Sequence, residues 1–170
     1  IAVCVSVGCG IGLVHALLIN RFGVAPFVVT LATMFIIRGI AKRSVQAKAI
    51  IAPSAVTDLE RASVAGIPLA IVVMLFVVAA AMVMLNATPI GRQIYAIGEN
   101  RQSAIKAGIS IRQVTAFVYA ACGGYAALGG FVALTQQGAA QNTFGTGVEF
   151  SAVAAAVLGG TSLFGGRGHA

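Results

Sequence analysis

The chain has 170 residues, 59% of them hydrophobic and 9% charged, and 11 Lys and Arg against 4 Asp and Glu give a formal net charge of +7. Charges this sparse, gathered in short stretches between apolar blocks, exclude a water-soluble globular domain and describe an integral membrane protein. The same placement excludes nucleic acid as the partner of the positive charge, because loops that flank a bilayer normally carry basic residues between apolar runs.

In chain order, Ile1 to Ile19 is the first run that can cross hydrocarbon as a helix. Crossing takes about 20 residues, since peptide groups in lipid must be hydrogen-bonded within their own segment. Several such blocks follow, so the first does not read as a cleavable signal peptide. Gly8 and Gly12 stand four residues apart, a spacing that lets another helix approach closely. His15 has no spaced partner and reads as a helix-packing or interfacial residue, and Cys4, Cys9 and Cys122 read as small packing residues without metal-ligand spacing. Phe27 to Ile40 is shorter, opened by Pro26 and closed by Arg38 and Gly39. A tilted helix, a half-helix and a span extended by less apolar flanks all fit it.

Pro68 to Leu85 and Gln113 to Leu134 are further spans, the latter with Ala116, Ala120 and Gly124 at the four-residue interval. The last run, Val148 to Leu158, is short and alanine-rich, with Ala152, Ala156 and Gly160 at the same interval. It reaches full membrane depth only with the glycine-rich turn after it or with further residues. Glu149 at its start reads as a helix-starting or snorkelling residue. Because Ile1 lies inside an apolar run and Ala170 follows that glycine-rich turn directly, the expectation is one membrane domain over 1–170, incomplete at both ends.

Between the second and third full-length spans lies Gly91 to Ile111, GRQIYAIGENRQSAIKAGISI, a polar, basic helical segment. Asn86, Ala87, Thr88 and Pro89 end the preceding span with a turn signal. A short amphipathic helix follows from about Arg101 to Ala107, with Ala104, Ile105, Gly108 and Ile109 on its apolar side, and Gly108 caps its C-terminus. This is either a docking knob on a stem or a solvated connector. Charge does not orient it: Arg21, Arg92, Arg101, Lys106, Arg112 and Arg167 share one side, against Arg38, Lys42, Arg43, Lys48 and Arg61. A membrane-embedded enzyme would need clustered His, Asp, Glu or Ser in catalytic spacing, and no such cluster or H-E-x-x-H motif occurs. Gly159 to Gly168 lacks G-x-x-x-x-G-K-[ST] and reads as a tight turn, so ATP belongs on another chain.

Three ordered stretches carry a resemblance. RQIYAIGENRQSAIKAGISIRQV resembles the cytoplasmic coupling segment of the permease subunits of ABC sugar importers of the ribose, xylose and arabinose type, whose pattern is close to G-x-N-x-x-A-A-x-x-x-G-I. Gly98, Asn100, Ala104, Gly108 and Ile109 match, with Ser103 where alanine is more usual. Arg21 to Leu31 is similar to the family's basic turn followed by P-F-I-x-T-L, and Ala155 to Gly168 to its V-L-G-G-T-S-x-x-G-G-x-G signature.

The resemblance implies an all-α, polytopic transmembrane helical bundle in the bacterial cytoplasmic membrane, surrounded by lipid. It further implies a second permease copy, a cytoplasmic ATP-binding subunit, and a periplasmic or lipid-anchored sugar-binding protein. No catalytic residue, metal, cofactor or nucleic acid is implied. The 98–109 segment then faces the cytoplasm and Lys42 to Gly66 the periplasm, where Lys42, Arg43 and Lys48 are unusually basic. Phe27, Thr30 and Thr33 are the substrate-pathway candidates, since a neutral sugar calls for hydroxyls and an aromatic face, although Thr in a membrane helix commonly bonds its own backbone. Gln136, Gln137, Gln141 and Asn142 read as a wet loop or a surface for the sugar-binding protein. A permease for an autoinducer or a branched-chain amino acid is the alternative, and the T-S-x-x-G-G form of the last motif leans towards sugars.

Overall fold

A computed structural model of the chain describes residues 1–45, 50–53, 56–57, 63–64, 67–140 and 145–161. Seven helices run in the order α1 (Ala2–Phe22), α2 (Pro26–Val45), α3 (Leu69–Ala87), α4 (Pro89–Glu99), α5 (Arg101–Lys106), α6 (Ile111–Gln137) and α7 (Val148–Leu158) among the described residues. The strands between them have two residues each: β1 (Ile50–Ile51), β2 (Ser63–Val64), β3 (Ile67–Pro68) and β4 (Ala139–Ala140). The chain is thus an all-α, multi-pass membrane protein, with α1, α3 and α6 long and apolar enough to cross a bilayer. Each extends past its apolar run, because a helix continues into its polar flanks until a cap stops it. For α1 that stop is Gly23, whose N–H donates to the Ile19 carbonyl.

Phe27 to Ile40 lies within a helix of 20 residues, longer than the apolar run itself, although α2 is not among the helices apolar enough to cross a bilayer. Pro26 opens α2, where proline's missing N–H costs nothing, and the helix runs on through Arg38, Gly39, Lys42 and Arg43. The short α7 has Glu149 in its first turn and ends at Gly159, and every described residue from Phe150 to Thr161 is exposed. The glycine-rich motif beyond Thr161, with Arg167, lies outside the described residues, as do Lys48, Arg61, Gln141 and Asn142.

The helices separate into two compact units. The first comprises Ile1–Val73 and Thr115–Phe144, the second Met74–Val114 and Gly145–Ala170. In the first, α1 lies against α6 backbone to backbone. A Cβ on Gly12 would overlap the Tyr119 carbonyl, and one on Gly8 or Gly123 would overlap the other residue's carbonyl. The small-residue interval placed this approach at Ala116, Ala120 and Gly124. The observed crossing uses Tyr119 and Gly123 as well, while Gly124 packs on Cys9, whose sulfur would stand 3.0 Å from an added Cβ. His15 packs edge-on against Tyr119, with ring centroids 6.3 Å apart and planes at 79°. Cys9 thus packs as expected, whereas Cys4 and Cys122 are exposed. At the end of α6, β4 pairs antiparallel with β1, Ile50 opposite Ala140 and Ile51 opposite Ala139, and Ala52 N–H donates to the Gly138 carbonyl.

Little large apolar surface is buried. Among the described residues Ala16, Val29, Ala52, Ala104 and Val114 are the buried apolar ones, α3 has no fully buried residue, and Phe76 on it is 71% exposed. An exterior of this kind suits hydrocarbon, where helices associate by close contact rather than by escape from water.

Gly12→Ala in the full-length protein should therefore destabilise the α1–α6 contact by about 1–3 kcal/mol, as overpacking does. Thermal unfolding in detergent, monitored by size-exclusion chromatography, should show a lowered midpoint. Gly10→Ala, where an added Cβ meets nothing within 4 Å, should leave that midpoint unchanged.

Candidate functional site

The polar segment of the second unit is almost entirely helical, and each break in it is closed by a named hydrogen bond. Only Thr88 separates α3 from α4. Its hydroxyl donates to the Met84 carbonyl at the end of α3 and accepts the Gly91 N–H at 3.2 Å, which caps the start of α4. Pro89 fills the first helical position, its fixed φ suited to a helix start. Gly91 is buried, and a Cβ there would overlap the Leu85 carbonyl, so the first turn of α4 sits directly on the last turns of α3. Sequence reasoning took Asn86 to Pro89 as a turn and, although it read Gly91 to Ile111 as helical, did not resolve α4 as a separate helix starting at Pro89. The signal was present: Thr-Pro is an N-cap followed by its favoured neighbour, and Ile90, Ile94 and Ile97 recur at helical spacing. These three isoleucines are half-buried, while Arg92, Tyr95, Gly98 and Glu99 are exposed.

Asn100 ends one helix and begins the next. Its backbone is extended (φ −153°, ψ 103°), its N–H donates to the Ala96 carbonyl at 3.2 Å, and its side-chain oxygen accepts the Ser103 N–H at 3.0 Å. Asparagine suits this position because its short side chain reaches an otherwise unpaired N–H of the first turn. Ala104 is 3% exposed, with room for little more than a methyl group, and α5 contacts α4.

The end of α5 is a Schellman turn. Gly108 N–H donates to the Ile105 carbonyl at 3.0 Å and Ile109 N–H to the Ala104 carbonyl at 3.1 Å, with Gly108 at φ +80°. Glycine is required there because a Cβ is strained in the left-handed region. The expected helix over Arg101–Ala107, with its cap at Gly108, is thus observed to within one residue.

Gly98, Asn100, Ala104, Gly108 and Ile109 therefore fall in one continuous element of the second unit. Asn100, Ala104 and Gly108 set its shape, and Arg92, Gly98, Glu99, Arg101, Lys106 and Ile105 supply its exposed surface. In the first unit, Phe27 is 72% exposed at the start of α2. Thr30 donates to the Pro26 and Phe27 carbonyls, both at 3.1 Å, and Thr33 to the Val29 carbonyl at 2.8 Å. Both hydroxyl protons stay within α2, leaving oxygen lone pairs to accept from a neighbour.

Comparison with known proteins agrees with this architecture. The chain is 34% identical over 178 residues to the ribose import permease protein RbsC of Escherichia coli K12, covering 99% of this chain and 54% of that protein. It is 36% identical over 166 residues to the D-allose transport system permease protein AlsC of the same organism, covering 97% and 51%. To the autoinducer 2 import system permease protein LsrC of Yersinia enterocolitica it is 36% identical over 164 residues, covering 95% and 45%. The chain thus spans about half the length of the curated relatives it matches. No solved structure matches it. Residues 1–166 match the family model described as branched-chain amino acid transport system / permease component, and the chain belongs to that family of membrane permeases.

Proposed function

We propose that the chain is the membrane core of a permease subunit in an ATP-driven importer that carries a monosaccharide across the bacterial cytoplasmic membrane. The carrying observation is the element from Thr88 to Ile109, a stiff polar structure joined without slack to the apolar helices α3 and α6. The ribose and D-allose permeases among the relatives support the substrate class. In this reading Gly98, Asn100, Ala104, Gly108 and Ile109 form the coupling site for a cytoplasmic ATP-binding subunit. Phe27, Thr30 and Thr33 border the sugar pathway, a second copy of the permease completes the translocation unit, and a periplasmic or lipid-anchored binding protein delivers the sugar. The autoinducer 2 permease among the relatives favours a second reading, in which the solute is a non-sugar. Uptake of labelled D-ribose, D-allose and autoinducer 2 by the full-length complex decides between them.

The mechanism follows from stiffness. A partner shifts a two-state equilibrium only by its differential affinity for the two states, so nucleotide-driven movement reaches the pathway only through a contact that survives or changes in step with it. A flexible loop would absorb that movement, whereas capped helices pass it into α3 and α6.

In proteoliposomes holding the complete complex, Asn100→Ala should lose about 1 kcal/mol of capping and lower sugar uptake per ATP hydrolysed. Gly108→Glu, strained at positive φ by roughly 1–2 kcal/mol and adding a charge to the surface, should abolish uptake; normal uptake by a well-expressed Gly108→Glu complex would exclude the coupling role. Gly91→Val should drive α4 away from the Leu85 carbonyl and uncouple the complex without displacing it from the membrane. With Arg101→Cys in a cysteine-free background, a membrane-impermeant maleimide should react in inverted vesicles and not in intact cells.

A further inference from the structure

The first unit contains a cavity of about 280 Å3 between the start of α3 and the end of α6. Its wall is mainly apolar, built by Leu69 and Val73 of α3 and Leu128 of α6, with Phe131, Thr135 and Gln136 on the last turns of α6. This is the pattern of a small-ligand site, a hydrophobic cleft with a few polar groups, slightly smaller than the usual range of about 300–1,000 Å3. The polar groups differ in what they offer. Thr135 is 6% exposed and donates its hydroxyl proton to the Val132 carbonyl at 2.7 Å, so towards the cavity it has only acceptor lone pairs. Gln136 is exposed and has both a donor and an acceptor on its amide. Phe131 adds an aromatic face.

We propose that this cavity is a binding station for a single neutral sugar ring, with Thr135 and Gln136 taking its hydroxyl groups and Phe131 its apolar C–H face. The inference rests on the sugar-importer reading and adds to it a location and three residues. The chemistry fits the solute class. A sugar hydroxyl donates and accepts at once, so an acceptor-only threonine beside a two-way amide matches it. None of the lining side chains, which also include Ile1, Pro68, Ala70 and Val132, carries a charge. Two polar contacts in a greasy wall also suit transport, in which a solute must be held firmly enough to enter and loosely enough to leave. By chain order the cavity is at the first turn of α3, whereas the proposed coupling segment follows its last.

The test uses the complete complex in proteoliposomes, with the binding protein saturated in turn with D-ribose and D-allose. Gln136→Leu and Phe131→Ala should each lower the initial uptake rate about threefold to tenfold, the scale of one lost neutral contact, while ATP hydrolysis without sugar and complex yield stay within twofold of wild type. In a second measurement, Gln136→Cys with Cys4, Cys9 and Cys122 replaced by alanine should react with a small maleimide, and excess transported sugar should slow that reaction. Uptake within twofold of wild type in both variants, no reaction at Gln136→Cys, or a reaction indifferent to sugar would each overturn the station while leaving the importer reading intact. A wild-type complex that carries neither sugar would overturn the importer reading, and the station with it.

Discussion

Hydrocarbon offers a peptide group nothing to hydrogen-bond, and every other feature of this chain depends on that constraint. It forces the apolar runs into helices and removes the usual reward for burying side chains, so that helices meet by backbone contact instead. The α1–α6 crossing expresses this directly: Gly8 and Gly12 lie on Gly123 and Tyr119 with no side chain between the backbones. The same constraint governs polar side chains within the spans. Ser6, Thr30, Thr33 and Thr135 each donate to a carbonyl three or four residues earlier in their own helix, which satisfies the hydroxyl without help from another segment. His15 cannot do this, and its Nε2 is buried with no hydrogen-bond partner among the described residues. Its edge-on contact with Tyr119 places the ring but does not satisfy that nitrogen.

Outside hydrocarbon the logic reverses. Water competes for every peptide group between Thr88 and Ser110, so this segment stays ordered only where caps and turns are specified by side chain. Thr88, Asn100 and Gly108 specify them, each by a different device: a hydroxyl that both donates and accepts, an amide oxygen on a first-turn N–H, and a left-handed backbone. A helix of six residues such as α5 is marginal alone. Held by Asn100 at one end, by a Schellman turn at the other and by the buried methyl of Ala104 on its inner side, it becomes a fixed projection.

These two regimes explain what was legible in the sequence. The membrane runs were legible because hydropathy alone dictates them, and α2 was ambiguous because Arg38 and Gly39 interrupt the hydropathy without interrupting the helix. The helix α5 and its cap were legible because Gly108 is a local signal. By contrast, the start of α4 was hidden by Pro89, which was read as a stop although a proline after a capping threonine is a start. The helix-crossing residues were legible in kind and not in position. A four-residue interval says that close approach is possible, but it does not fix the rotation of α6 about its axis, so Gly123 escaped notice while Gly124 was named. The cavity was illegible for the same reason. Gln136 reads as wet loop chemistry until the helix end and the first turn of α3 are seen to enclose space beside it.

In the importer proposed above, coupled transport asks for two opposite properties in one polypeptide, and these regimes supply them separately. The segment that meets a partner must not yield, or the partner's movement is lost within it. The place that holds the solute must be easily remade, because a rigid, fully satisfied site would bind too tightly for release. Caps and turns give the first property at the end of α3, where three residue types fix three backbone breaks. In the proposed station a sparse lining gives the second at its beginning, where one amide, one hydroxyl oxygen and one ring stand in an apolar wall. Between the two, α3 runs as one unbroken helix from Leu69 to Ala87.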